Sequence, residues 1–169
     1  MVRQLTTQDA AAYFAVRLRA LEEHPEAFGA SADEWRGRSL VEITQRLSAT
    51  ESSCYFGAFV DGALAGIAAF SRPAVTKQAH RGGIYQMYVA PEHRRLGLGR
   101  QLLEAILSHV RQLAGLDEVV LSVTIGNYGA EALYAAAGFR ASYVEPRYIK
   151  LDGRTYDLLW MSLRLEKEI

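Results

Sequence analysis

The residues best placed to do chemistry in this chain form one short run, His93-Arg94-Arg95-Leu96-Gly97-Leu98-Gly99-Arg100. Glycine lets main-chain N–H groups approach an anion with no Cβ in the way. Arg94, Arg95 and Arg100 add charge and forked donors that suit phosphate oxygens. An apolar, strand-like stretch, Gly83-Ile84-Tyr85-Gln86-Met87-Tyr88-Val89, and a turn at Ala90-Pro91-Glu92 precede the run. Behind it, Leu98, Leu102, Ile106, Val110 and Leu113 recur at helical spacing. Strand, glycine loop and helix together bind phosphate, because the first N–H groups of a helix lack partners within it and its dipole is positive at that end. A plain surface turn could also hold Gly-x-Gly after two arginines. The flanking strand and the periodic helix favour a ligand loop instead.

A Walker loop requires Lys-Ser or Lys-Thr after the glycines, and none follows here. A dinucleotide fingerprint requires a third glycine where Leu102 stands. The spacing Arg94-x-x-Gly97-x-Gly99, after a strand ending Met87-Tyr88-Val89 and a Pro-Glu turn, resembles the GNAT superfamily of N-acetyltransferases. A second segment, Asn127-x-x-x-x-x-x-Tyr134-x-x-x-Gly138-Phe139, resembles the last motif of that family. The resemblance implies an α/β (α+β) fold with a central mixed, mostly antiparallel sheet of about seven strands, helices on both faces and splayed central strands. It implies acetyl-CoA as co-substrate, no metal, and a primary amine of a small molecule or protein as acceptor.

The same resemblance distributes roles. Gly97 and Gly99, with the N–H groups of Arg95, Leu96, Leu98 and Arg100, would hold the pyrophosphate, and Arg94 or Arg95 would add charge. Met87, Tyr88 and Val89 would offer their main chains to the pantetheine arm as an added strand does, although their side chains also suit a core. Asn127 is a natural helix N-cap and, in the family, also a contact for the pantetheine side. Tyr134 would protonate the departing thiolate, or else simply fill a helix–sheet interface. The family's glutamate aligns with Gly83, and no carboxylate occurs from Gly82 to Ala90. Glu22, Glu23, His24, Tyr85, Tyr148 and Asp157 are the substitutes in view, and none is singled out as the base. The aromatics Phe28, Trp35, Tyr85 and Tyr148 suggest a partly apolar acceptor cleft.

A chain of 169 residues, 50% hydrophobic and 22% charged, fits one globular domain, residues 1–169. Nineteen basic and nineteen acidic residues cancel, which argues against a nucleic-acid or membrane partner. Cys54 is the sole cysteine and falls in a strand-like run, so a disulfide within the chain and an acetyl-cysteine intermediate are both disfavoured. No membrane-length apolar run or signal-peptide pattern is evident, so a cytoplasmic location is expected; a homodimer is compatible with all of this. The rival function is a non-catalytic CoA or acyl-CoA sensor of the same fold.

Local signals sketch the elements that must position these residues. Thr6 caps a helix over residues 8–22 that ends at His24-Pro25, with Ala12, Val16 and Leu18 to Leu21 toward the core and Arg17 and Arg19 away from it. The capping box Ser39-x-x-Glu42 opens a helix to Leu47. Asp61-Gly62 turns a hairpin of residues 54–60 and 63–70. Then follow the central strand 83–89, a helix 98–114 ended by Gly115, and a strand 119–125 with Val119, Leu121, Val123 and Ile125 on one face. A helix 130–137 closed by Gly138, a strand from Phe139 interrupted at Pro146, and a last strand 155–165 complete the order.

Overall fold

A computed structural model describes residues 1–48, 50 and 52–166. The elements are β1 (Val2–Gln4), α1 (Ala10–Glu23), α2 (Ala32–Arg36), α3 (Leu40–Leu47), β2 (Ser53–Val60), β3 (Ala63–Ser71), β4 (Arg81–Val89), α4 (Leu98–Val110), β5 (Glu118–Thr124), α5 (Tyr128–Ala136), β6 (Arg140–Leu151) and β7 (Arg154–Arg164). One seven-stranded sheet has the order β1-β2-β3-β4-β5-β7-β6. Only β4 and β5 are parallel; the other pairs are antiparallel. The mixed, mostly antiparallel sheet expected above is therefore present.

Alternation along the strands builds a core on each face. On one face Leu102, Ile106 and Val110 of α4 pack against Phe56, Ala68 and Phe70. On the other, Tyr13 and Leu21 of α1, Trp35 of α2 and Ile43 of α3 pack against Ile67 and Tyr88. Cys54 is buried in the first core, and burial pushes its thiol up to about 11, which keeps it unreactive at neutral pH. Among the described residues, no helix is long and apolar enough to cross a membrane.

Where β4 and β5 run side by side they pair at only three rungs, Arg81 with Glu118, Gly82 with Val119 and Gly83 with Val120. Two features then draw them apart. The register of β3 on β4 shifts between Ile67 and Ala69, and Gln86 adopts φ 58°. An irregularity of this kind bends a strand, and the hydroxyl of Tyr13 donates to Gln86 Oε1 and holds the kink. Meanwhile β5 stays paired with β7 along its whole length, from Glu118–Arg164 to Thr124–Leu158. The result is a V that opens at the C-terminal ends of β4 and β5.

Several local expectations are corrected. Helix α1 begins at Ala10, after a single 3-10 turn at Thr7–Asp9. The Ser31-x-x-Glu34 capping box, with reciprocal 3.1 Å bonds, starts the short α2 between the two helices named above. Helix α4 stops at Val110 rather than residue 114, because Gln112 and Leu113 bond three residues back, tightening the end; Gly115 follows in a left-handed turn at φ 72°. Ile125 lies beyond β5 and is exposed. Strand β6 continues through Pro146 with a register jump between Glu145 and Ile149, which an edge strand tolerates. Arg17, expected outside the core, is buried. It falls on the stripe Tyr13, Arg17, Leu21, spaced at i, i+4, whose outer members are both core residues.

The Arg3 fork grips both oxygens of Asp9 at 2.8 Å, and the Thr6 N–H adds a third bond at 2.8 Å. Chiefly the arginine lowers the Asp9 carboxyl from 3.8 to about 2. A carboxyl depressed in this way stabilises the fold fully above its ordinary pKa and loses that contribution as pH falls through about 2. Arg3 is partly exposed, so after solvent screening about 1 kcal/mol is expected. Asp9→Asn should lower the melting temperature by about 2–4 °C at neutral pH. Thermal melts should show the gap closing between about pH 4 and pH 2.

Candidate functional site

The 93–100 loop leaves β4 through a 3-10 turn at Pro91–His93 and enters α4 at Gly97. Arg95 and Gly97 take left-handed conformations, φ 65° and 73°. Gly97 is the N-cap of α4 and has no side chain to occupy the first helical N–H groups. Those donors, at the head of a thirteen-residue helix, belong to residues that border a cleft. The guanidinium of Arg94 folds back, donating from Nε to the Val89 carbonyl at 3.1 Å and placing Nη2 2.9 Å from His24 Nε2. Arg100 pairs with Glu104 at 2.7 Å. Arg95 is exposed and holds no ion pair among the described residues. The Leu96 side chain points to solvent, away from the cleft.

The loop forms one wall of a cleft of about 910 Å³. Met87 to Val89, the 124–127 turn after β5 and the first turns of α5 close it, with His24 to Phe28 across the mouth. Thr124 Oγ1 donates to the Glu26 carbonyl at 2.8 Å, tying the end of β5 to that segment. A Cβ on Gly99 would lie 3.4 Å from Leu133 Cδ2, so α4 and α5 approach closely there. Gly97 has room around it, and its constraint is the left-handed backbone.

A second cleft, about 550 Å³, opens on the other side of the V. Phe28, Met87, Thr124, Asn127, Ala130 and Leu133 line both, so the two clefts meet between the splayed strands. Tyr134 lines the second cleft, packed edge-on against Phe139 at 6.2 Å. It is 6% exposed, and burial pushes its phenol up to about 12. Its hydroxyl has no hydrogen-bond partner among the described residues. Asn127 caps α5, its Oδ1 accepting from the Ala130 N–H at 3.3 Å. Its amide group borders both clefts.

Known proteins share this fold. A family model, Acetyltransferase (GNAT) family, matches residues 16–139. The chain belongs to the GNAT family. It is 33% identical over 146 residues to a mycothiol acetyltransferase of Thermobispora bispora, covering 83% of this chain and 46% of that protein. Indeed, the chain spans less than half the length of several curated relatives it matches. Among solved folds, an acetyltransferase of the GNAT family from Streptococcus pneumoniae superposes with a TM-score of 0.82 at 20% identity, covering 98% and 99% of the two chains. The structure of yncA from Salmonella typhimurium with its cofactor acetyl-CoA gives 0.81 at 23% identity, covering 100% and 95%.

Where a GNAT glutamate would align, at Gly83, an added Cβ would collide with the Tyr85 phenol, which covers that spot. Of the substitute bases, Glu22 is paired with Arg36, and Glu23 accepts from the Tyr88 hydroxyl and Arg19, each at 2.6 Å. Asp157 accepts from the Arg147 N–H at 2.8 Å. His24 borders the first cleft, and Tyr85 and Tyr148 the second. Phe28 lines the second cleft too, but Trp35 is a core residue whose indole N–H bonds the Phe14 carbonyl at 3.0 Å. Sequence reasoning missed Arg17, Gln86, Thr124 and Leu133. For Arg17 the i, i+4 stripe was a usable signal, whereas nothing local marks Gln86 as a kink.

Proposed function

We propose that the chain transfers an acetyl group from acetyl-CoA to a primary amine by direct attack. The observation that carries this is the meeting of the two clefts between β4 and β5. One cleft is headed by helix N–H groups that no side chain caps, and the other contains a buried phenol. The donor set suits a pyrophosphate, because Gly97 adds no side chain and Arg95 is unpaired. Met87 and Val89 lie on the stretch of β4 that no longer pairs with β5, where an amide chain can add as a further strand.

Acetyl-CoA supplies an activated acyl group and a thiol that leaves as an anion needing a proton. Tyr134 retains its proton at neutral pH, since burial favours the uncharged form, and can donate it as a general acid. Phe28, Met87 and Leu133 give the junction an apolar lining. Cys54, buried in the core and with a raised pKa, takes no part.

Release of free thiol from acetyl-CoA, followed over a panel of amines, tests the proposal. Amine-dependent release supports it; calorimetric binding of CoA without release on any amine would favour the sensor reading. Gly97→Val checks the loop. A β-branched residue at this left-handed position is strained by about 1–2 kcal/mol, which should tilt the N–H groups out of line. CoA affinity is expected to fall at least about tenfold, or about 1.4 kcal/mol, while the chain stays folded by circular dichroism. Wild-type affinity in this variant would show that the loop does not hold the ligand.

A further inference from the structure

The wall of the second cleft built by α1 and α3 carries two cations that no carboxylate neutralises. Arg17 is 5% exposed, and its Nε and Nη1 have no hydrogen-bond partner. Its guanidinium lies 4.6 Å above the Phe28 ring. Arg46 lies over the Trp35 ring at 5.7 Å and, among the described residues, has no ion pair either. Arg3, Arg19, Arg36, Arg38, Arg81 and Arg100 each hold an aspartate or glutamate; Arg95, without one, is exposed, whereas Arg17 is buried. Among the described residues, no aspartate or glutamate lines this cleft.

A buried guanidinium with unmade hydrogen bonds is unfavourable, and a fold retains one where something else compensates. Burial lowers Arg17 only to about 10, so it remains charged at neutral pH. A planar fork of this kind matches a carboxylate in two parallel bonds. A polyamine or a lysine side chain would instead bring further positive charge into a cleft that already holds two cations and no anion.

Resting on the assignment of this cleft to the acceptor, we propose that the acceptor is a small amino acid-type molecule carrying both an amine and a carboxylate, and that Arg17 and Arg46 bind the carboxylate. With the carboxylate held at that wall, the amine is free to turn toward the junction of the clefts. The same two cations disfavour an ammonium nearby. That shifts the amine toward its free, attacking form without a carboxylate base at Gly83.

The test uses the twenty L-amino acids and, for each one acetylated, its decarboxylated amine and its carboxamide. O-phosphoethanolamine serves as a phosphate-bearing control. Wild type is expected to prefer the amino acid over the matching amine by about 100-fold or more in kcat/KM, as fits loss of a charge-assisted pair. In Arg17→Met, and more mildly in Arg46→Met, KM for the amino acid should rise and its preference over the neutral carboxamide should shrink, while CoA affinity changes little. Arg17→Lys should recover part of the preference. Arg17→Met should also melt at or above the wild-type temperature, since a buried unpaired charge has been removed. Equal rates on amino acids and decarboxylated amines, or a preference for O-phosphoethanolamine, would overturn the carboxylate assignment while leaving acetyl transfer intact. Failure to bind CoA at all would instead remove the underlying assignment. Should Arg17→Met not fold, Arg46→Met and Arg17→Lys decide alone; unchanged amino-acid preference in both overturns the proposal.

Discussion

Replacement of Tyr134 by phenylalanine is expected to slow single-turnover acetyl transfer by about 10²–10⁴-fold, or roughly 3–5 kcal/mol of barrier. CoA affinity should barely move, because Tyr134 lines the second cleft and not the first. The ring would still pack against Phe139, so the variant removes one proton and little else. A hydroxyl that made a structural hydrogen bond would complicate that inference, but none exists among the described residues. Steady-state rates can be limited by product release, which is why a single turnover is the proper measurement. A rate within about twofold of wild type would reduce Tyr134 to a packing residue. The acid role also predicts that the rate falls as pH rises through the phenol's pKa, about 12 in the unliganded protein.

The second large effect concerns stability. Phe70 is fully buried, and its ring occupies the space over Gly82, where an added Cβ would collide with it. Gly82 pairs with Val119 on the middle of the three rungs joining β4 to β5. Phe70→Ala is therefore expected to destabilise the protein by about 3–5 kcal/mol, lowering the melting temperature by on the order of 10 °C. Gly82→Ala alone should also destabilise, by about 1–3 kcal/mol, through overpacking. Combined, the two should cost less than their sum, because the new methyl partly fills the cavity. Denaturant titration of the four proteins measures that coupling; strict additivity would mean that Phe70 does not pack on Gly82.

The parts of the site that could be read from sequence are those encoded by neighbours along the chain. The glycine loop was legible because a helical stripe from Leu98 to Val110 follows it at once, and both the residues and their spacing are local. The hairpin at Asp61-Gly62 was legible because positive φ at the turn, 48° and 81°, restricts which residues can stand there. The opening between β4 and β5 was foreseen only through family likeness, since its cause at Gln86 is held by Tyr13, 73 residues away. Glutamine has no bias toward a left-handed backbone, so no propensity marks it. Arg17 was misplaced because charge suggests solvent, and tertiary packing of α1 overrode that preference. Conversely, the ends of α4 and β5 slipped by a few residues, as terminal turns with weak caps commonly do.

The placement of Tyr148 and Ile149 carries a further consequence. Both line the second cleft, and both lie on β6, the outermost strand, after the left-handed Arg147, with Tyr148 inside its register jump and Ile149 where pairing resumes. An edge strand has a free side, so insertions, deletions and slips there disturb only one neighbour. The first cleft, by contrast, is built on β4 in the middle of the sheet and on α4, whose residues fill the main core. Inheritance can therefore act on the two halves at different rates. The central half tolerates little change without loss of the fold, while the marginal half can be remodelled by small lesions at the rim. A scaffold divided in this way can have its second cleft remodelled through folded intermediates that keep the first.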